Sequence, residues 1–285
     1  MVRRRVRNDG IQIKTSDQFD VMRTAGLVVA EALAAMREAA VPGATTEDLD
    51  VVARAVLAAH GATSNFLGYH GYPATICASV NDRVVHGIPS SAETLVEGDI
   101  ISIDFGAIVD GWHGDSAITV EIGQVSAPLA TLSETTRRSM WDGIAAIRIG
   151  GRVTDISHAV ETSVRNAPDG ERYGIVENYG GHGIGTAMHM EPHVLNYGRP
   201  GHGPTLRPGM ALAIEPMLTL GDAATRELED GWTVVTADGT AAAHWEHTVA
   251  ILPDGLWVLT APDGGRAELE ARGAAVSARA VDAAV

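Results

Sequence analysis

The chain has 285 residues, 45% of them hydrophobic, a formal net charge of −15 and one lysine, Lys14. That is enough apolar material for a sizeable core, and the acidic balance excludes a nucleic-acid footprint over most of the length. Cys77 is the single cysteine, so no intramolecular disulfide can form, and a cytoplasmic setting is expected. No apolar run reaches the roughly 18 residues needed to span a membrane.

Residues 1–16 read as an irregular basic segment. Arg3-Arg4-Arg5-Val6-Arg7 lacks the apolar stretch of a signal peptide and is read as a frayed end that could touch a polyanion such as ribosomal RNA. Thr15-Ser16-Asp17 offers N-cap residues for a helix over 17–40, in which Val21, Ala25, Val28, Val29, Leu33 and Met36 form one apolar stripe. Pro42-Gly43 ends it, and Thr45 to Asp48 opens a second helix that runs to His60 and stops at Gly61. A Gly- and Tyr-rich segment from Asn65 leads through a short strand, Thr75 to Val80, to the strands Ile100–Val109 and Trp112–Ile122. Asp110-Gly111 between them is a dipeptide suited to a type I′ turn. That turn pairs Val109 with Trp112 and sets Asp104 opposite Ala117. Asp104 and Asp115 then share one sheet face as diagonal neighbours, roughly 7–8 Å apart.

Helices are expected over 128–148 and 153–168, followed by a second Gly-rich segment holding His182, His189 and His193. Leu206 to Leu220 reads as a strand containing Glu215, Trp232 to Thr236 as a short strand, and Ala242 to Leu252 as a strand containing Glu246. The Ala- and Arg-rich tail over 262–285 is read as a loose helix or a flexible end.

An internal echo relates the two halves: Leu95-x-x-Gly98-x-x-x-x-Ile103-Asp104 is matched by Leu206-x-x-Gly209-x-x-x-x-Ile214-Glu215. Two halves of two helices and a hairpin each, facing one another, would answer Asp104 with Glu215 and Asp115 with Glu246. Four converging carboxylates repel unless cations balance them. With one imidazole they suit two divalent ions. His182, within Gly180-Gly181-His182-Gly183-Ile184-Gly185, is the candidate fifth donor, although the residues alone leave a structural histidine equally open.

The stretches FLGYHGYPATICASVNDRVVHGIP, SIDFGAIVDGWHGDSAIT, GGHGIG with MHMEPHV, AIEPML, DGWTVVTADG and WEHTVAI together resemble the type I methionine aminopeptidases in their short bacterial form, in order and spacing over residues 17–260. The resemblance implies a single pseudo-twofold α/β (α+β) pita-bread domain over 17–261, with a central antiparallel sheet and helices on its outer face. It implies two divalent ions, of cobalt, manganese, iron or zinc, held by Asp104, Asp115, His182, Glu215 and Glu246. Asp115 and Glu246 would bridge them, and Glu215 would double as general base. His189 would meet the substrate carbonyl and His86 the scissile amide nitrogen, while Tyr69, Tyr72, Cys77, Met188 and Trp232 would line a methionine pocket. Met188 departs from the phenylalanine commoner there.

The implied activity is removal of the initiator methionine from nascent polypeptides whose second residue is small, by a cytoplasmic monomer with at most transient ribosome contact. The nearest rival is an X-Pro aminopeptidase or prolidase of the same fold, which usually carries a large additional N-terminal domain. A non-catalytic pita-bread binding protein is the rival of another class, and it would have lost ligands that are all present here.

Overall fold

The computed structural model describes residues 10–282, so Arg3 to Arg7 lie outside the described residues. The first helix, α1 (Ser16–Ala39), starts at Thr15, whose side chain accepts from the Gln18 backbone N–H while Gln18 reaches back to Thr15. The second, α2 (Thr46–His60), has the same box between Thr45 and Asp48, and Gly61 closes it in the left-handed conformation that glycine adopts without strain. Next come β1 (Thr63–Ser64), β2 (Ile76–Val80), β3 (Arg83–Val85) and the long hairpin of β4 (Ile100–Val109) and β5 (Trp112–Glu121). Val109 pairs with Trp112 and Asp104 with Ala117, as the Asp110-Gly111 turn demands.

The second half repeats the plan with α3 (Ala127–Ala145), α4 (Val153–Arg165), β6 (Gly174–Ile175), β7 (Gly181–Gly183), β8 (Met190–Val194), β9 (Ala211–Ile214) and β10 (Met217–Thr219). It continues with β11 (Thr225–Glu227), β12 (Val234–Thr236), β13 (Ala242–His244), β14 (His247–Leu252) and β15 (Gly255–Val258). Every ladder between named strands is antiparallel. One sheet holds β4 between β5 and the pair β1 and β2, and another runs β15-β14-β9-β7-β8.

Each half has its own core. Val28, Val29, Leu33 and Met36 of α1 pack with Leu49, Ile101, Ile103 and Phe105, whereas Met140, Ile144 and Ile156 of the second helix pair pack with Leu212, Ile214, Val249 and Ile251. Trp245 packs against both clusters. The halves are sewn together where β5 meets β14: Glu246 N–H donates to Ala117 O at 2.9 Å, and Thr248 Oγ1 donates to Asp115 O at 2.8 Å.

Three expectations need correction. The strand expected over Leu206 to Leu220 breaks at Glu215-Pro216, because proline has no N–H to continue a ladder; β9 and β10 on either side belong to different sheets. The strand expected over Ala242 to Leu252 breaks at Trp245-Glu246, where β13 and β14 pass into different sheets without a proline between them. The tail from residue 262 is helical, as one of its two readings had it, but not loose through 282: it forms α5 (Arg266–Ala271) and α6 (Ala278–Asp282), with Leu269 and Ala280 buried. Arg279 ties it to the start of α1 through Ser16 and Asp20.

Candidate metal centre

Each of the four acids sits where its backbone leaves one sheet or faces the other half. Asp104 and Asp115 project from the same face of the hairpin, and the two strand breaks hold Glu215 and Glu246 against them. Ligand atoms of Asp115, His182 and Glu246 all lie within 4.8 Å of one another, and His182 Nε2 is 3.3 Å from Glu215 Oε1. All five line one cavity of about 610 Å³. His182 lies in β7, a strand the glycines around it had hidden; Gly181 and Gly183 let neighbouring backbones close in, since a Cβ at either would lie about 2 Å from a carbonyl oxygen.

The electrostatics of this cluster are unstable on their own. Burial, then mutual repulsion, holds Asp104, Glu215 and Glu246 well above the ordinary carboxylate range, and burial pushes Asp115 to about 7. Burial, then the neighbouring His189, pulls His182 down to about 3, so it is a neutral imidazole with a lone pair to give. Asp104 Oδ1, Asp115 Oδ1 and Glu246 Oε1 are buried without a hydrogen-bond partner among the described residues. Buried carboxylate oxygens of this kind carry a desolvation cost that a hard or borderline cation would offset. The donor set of carboxylates plus one neutral imidazole therefore fits divalent metal.

Above the acids the walls are apolar. Phe66, Tyr72, Cys77 and Met188 are buried together, with Tyr69 and Trp232 packed against them. Cys77 pairs directly with Asp104 across β2 and β4, so its thiol shares a face with that acid, and burial raises its pKa well above the ordinary thiol value. Tyr72 spends its hydroxyl on structure, donating to the carbonyls of Ile76 at 2.9 Å and Gly87 at 3.0 Å, and offers the cavity only its ring. Trp232 stands edge-on to it, with ring centroids 5.0 Å apart. His86 has φ of 60° and a pKa lowered to about 4 by burial, and it packs edge-on against Tyr179. The His189 ring lies 4.5 Å from that of His182, and its Nδ1 is 2.9 Å from Tyr69 Oη.

Several further residues are brought here by the fold. Tyr179 reaches the cavity rim, and Phe66 its wall. His244 is buried with Nε2 3.7 Å from Glu215 Oε2. Asn196 donates to the Glu215 carbonyl at 3.1 Å. Only His244 carried a signal, lying two residues before Glu246; the others depend on tertiary placement.

Comparison with known proteins agrees with this geometry. The profile of metallopeptidase family M24 matches residues 20–253. Methionine aminopeptidase 1 of Mycobacterium tuberculosis is 57% identical over 249 residues, covering 87% of this chain and 94% of that one. The methionine aminopeptidase of Clostridium acetobutylicum is 48% identical, covering 88% and 98%. The crystal structure of methionine aminopeptidase from Thermotoga maritima superposes with a TM-score of 0.85 at 40% identity, covering 88% and 99%. The Xaa-Pro dipeptidase of Bacillus anthracis, at 21% identity and a TM-score of 0.69, is matched over 62% of its length and shares the fold alone. The pita-bread expectation holds, and the chain belongs to metallopeptidase family M24.

Proposed function

We propose that this chain is a methionyl aminopeptidase that removes N-terminal methionine from peptides and nascent polypeptides whose second residue is small. The observation that carries the reading is the pairing, in one cavity, of buried carboxylate oxygens without a hydrogen-bond partner among the described residues and an apolar wall of Phe66, Tyr72, Cys77, Met188 and Trp232 suited to a thioether side chain. The relatives that match over nearly their whole length are methionine aminopeptidases.

In this reading Asp104, Asp115, His182, Glu215 and Glu246 would together hold two divalent ions, of manganese, iron, cobalt or zinc. Such ions, when bound, lower the pKa of water towards neutrality and polarise a carbonyl. The remaining work belongs to side chains. Phe66, Tyr72, Cys77, Met188 and Trp232 take the methionine side chain and exclude water around it. Glu215, beside both His182 and His244, accepts the proton of the attacking water. His189 donates to the carbonyl oxygen as negative charge develops there. His86, kept neutral by burial, stands at the scissile amide nitrogen. A monomer in the cytoplasm suits the lone buried cysteine, and among the described residues no helix is long and apolar enough to cross a membrane.

The test is hydrolysis of Met-Ala-Ser, Met-Lys-Ser and Ala-Pro-Ser by chelator-stripped protein resupplied with manganese or cobalt. Metal-dependent release of methionine from Met-Ala-Ser alone supports the reading. Cleavage of Ala-Pro-Ser alone would move the chain to the X-Pro branch, and silence on all three would remove the enzymatic assignment.

A further inference from the structure

Asn65 has no place in the ligand set, yet it is only 5% exposed and both the nitrogen and the oxygen of its amide are hydrogen-bonded. It follows the last residue of β1, where Ser64 pairs with Ala107, and its backbone N–H donates to Gly106 O at 3.1 Å. On the opposite edge of β4, Gly106 faces Asp115 and Ala107 faces Gly114. The side chain of Asn65 nonetheless reaches Gly114 and His113, so it crosses β4 from one edge to the other.

It can cross because residue 106 is glycine. A Cβ there would lie 2.1 Å from Asn65 Nδ2 and 2.5 Å from its Cγ. Gly106 and Asp115 are direct cross-strand partners, so a side chain at 106 would stand beside that of Asp115 on the same face. The Asn65 amide fills that space instead. Its orientation is determined: Nδ2 lies 3.1 Å from Gly114 O, which can only accept, and this turns Oδ1 to His113 Nδ1 at 2.9 Å. Nδ2 thus occupies the place a side chain at 106 would take beside that of Asp115, whose Oδ1 is without a hydrogen-bond partner among the described residues. His113, held by Asn65, in turn donates its backbone N–H to Gly185 O at 2.9 Å, at the start of the loop that leads to His189.

We propose that Asn65 is a positioning residue for the metal centre: reaching over Gly106, its amide fixes the Asp115 carboxylate in the rotamer that presents Oδ1 to a cation. This rests on the metal-centre reading above. An amide that only joined β1 to β5 would matter for folding and not for metal affinity, and that difference decides the test.

Manganese binding is measured by calorimetry on the chelator-stripped full chain, with melting of each metal-free form alongside. Asn65→Ala is expected to weaken manganese binding about tenfold to a hundredfold, the usual cost of losing a partner of a metal ligand. Gly106→Ala evicts the amide and is expected to weaken binding similarly, and the double variant no further than the worse single one, because both remove the same contact. Asp115→Asn is the control and is expected to lose binding altogether. If Asn65→Ala lowers the melting temperature but keeps affinity within about twofold while Asp115→Asn loses it, Asn65 is structural glue and the inference fails alone. If Asp115→Asn binds manganese like the unaltered chain, the metal-centre reading falls and the inference with it. Should Gly106→Ala fail to fold, Asn65→Ser, too short to cross β4, carries the same expectation as Asn65→Ala.

Discussion

Tyr69 Oη lies 2.9 Å from Nδ1 of His189. A phenol that donates to Nδ1 selects the imidazole tautomer with its proton on Nε2, which is the form able to donate to a substrate oxygen. Burial, followed by the nearby His193 and His70, lowers the pKa of His189, so the neutral ring needs this selection.

Tyr69→Phe is therefore expected to lower kcat about fivefold, the rate equivalent of one hydrogen bond worth about 1 kcal/mol, with little change in KM. His189→Ala is expected to cost about a hundredfold or more in kcat. Steady-state kinetics on Met-Ala-Ser decides it. Equal losses from Tyr69→Phe in the presence and absence of His189 would show that the phenol acts through something else.

Metal removal should make stability fall as pH rises above neutrality. An acid whose folded pKa is raised binds more protons folded than unfolded, so its contribution falls as pH rises. For Asp115 the fall runs from 3.8 up through about 7, and for Asp104, Glu215 and Glu246 it continues higher. His182 and His244, lowered from 6.5 to about 3, act oppositely but only below 6.5. Above that value the carboxylates dominate, opposed from about pH 8 upward by buried Lys14, lowered from 10.5 to about 8. The metal-free protein should melt at a lower temperature at about pH 8 than near pH 6.5, and manganese should remove the difference. A metal-free melting temperature that rises over this interval would contradict the convergence of the four acids.

The pocket makes a separate demand. Met188 is 3% exposed and packs with Phe66, Tyr72 and Cys77. Met188→Phe replaces a flexible side chain by a rigid one of similar bulk, a change that well-packed sites accept for less than about 1.5 kcal/mol. KM for methionyl peptides should move by up to about tenfold with kcat nearly unchanged. An unaltered KM would put residue 188 outside the methionine pocket.

The halves of this centre were not equally legible in the sequence. Asp104 and Asp115 could be set on one face because Asp110-Gly111 fixes the register of a hairpin, and two-residue alternation does the rest. Glu215 and Glu246 were visible as residues, through the echo of Leu95 to Asp104 in Leu206 to Glu215, but their setting was misread as strand interior. Pro216 was the available clue, since a ladder cannot run through it. Asn65 left no signal: its partner is chosen by the crossing of β4 at Gly106, and a glycine in a strand reports a close approach without saying of what. The tail was misread because Ala-rich composition does not reveal that Leu269 has a core to enter.

That tail yields the last expectation. Leu269 of α5 is fully buried among Met140, Ile144, Leu256 and Val258, the core of the second half. Arg137 of α3 reaches Glu268 at 2.6 Å, and Arg272 binds Asp142 at 2.7 Å, so the helix is anchored on both sides of that leucine. Leu269→Ala should cost about 2–5 kcal/mol, because the rigid surroundings of α3 and the sheet cannot collapse fully onto the space left behind. In a domain of this size that lowers the melting temperature by roughly 2–4 °C per kcal/mol. The cavity is lined by other residues, so kcat and KM on Met-Ala-Ser at low temperature should stay near those of the unaltered chain. A melting temperature unchanged by Leu269→Ala would restore the reading of residues 262–285 as a loose appendage.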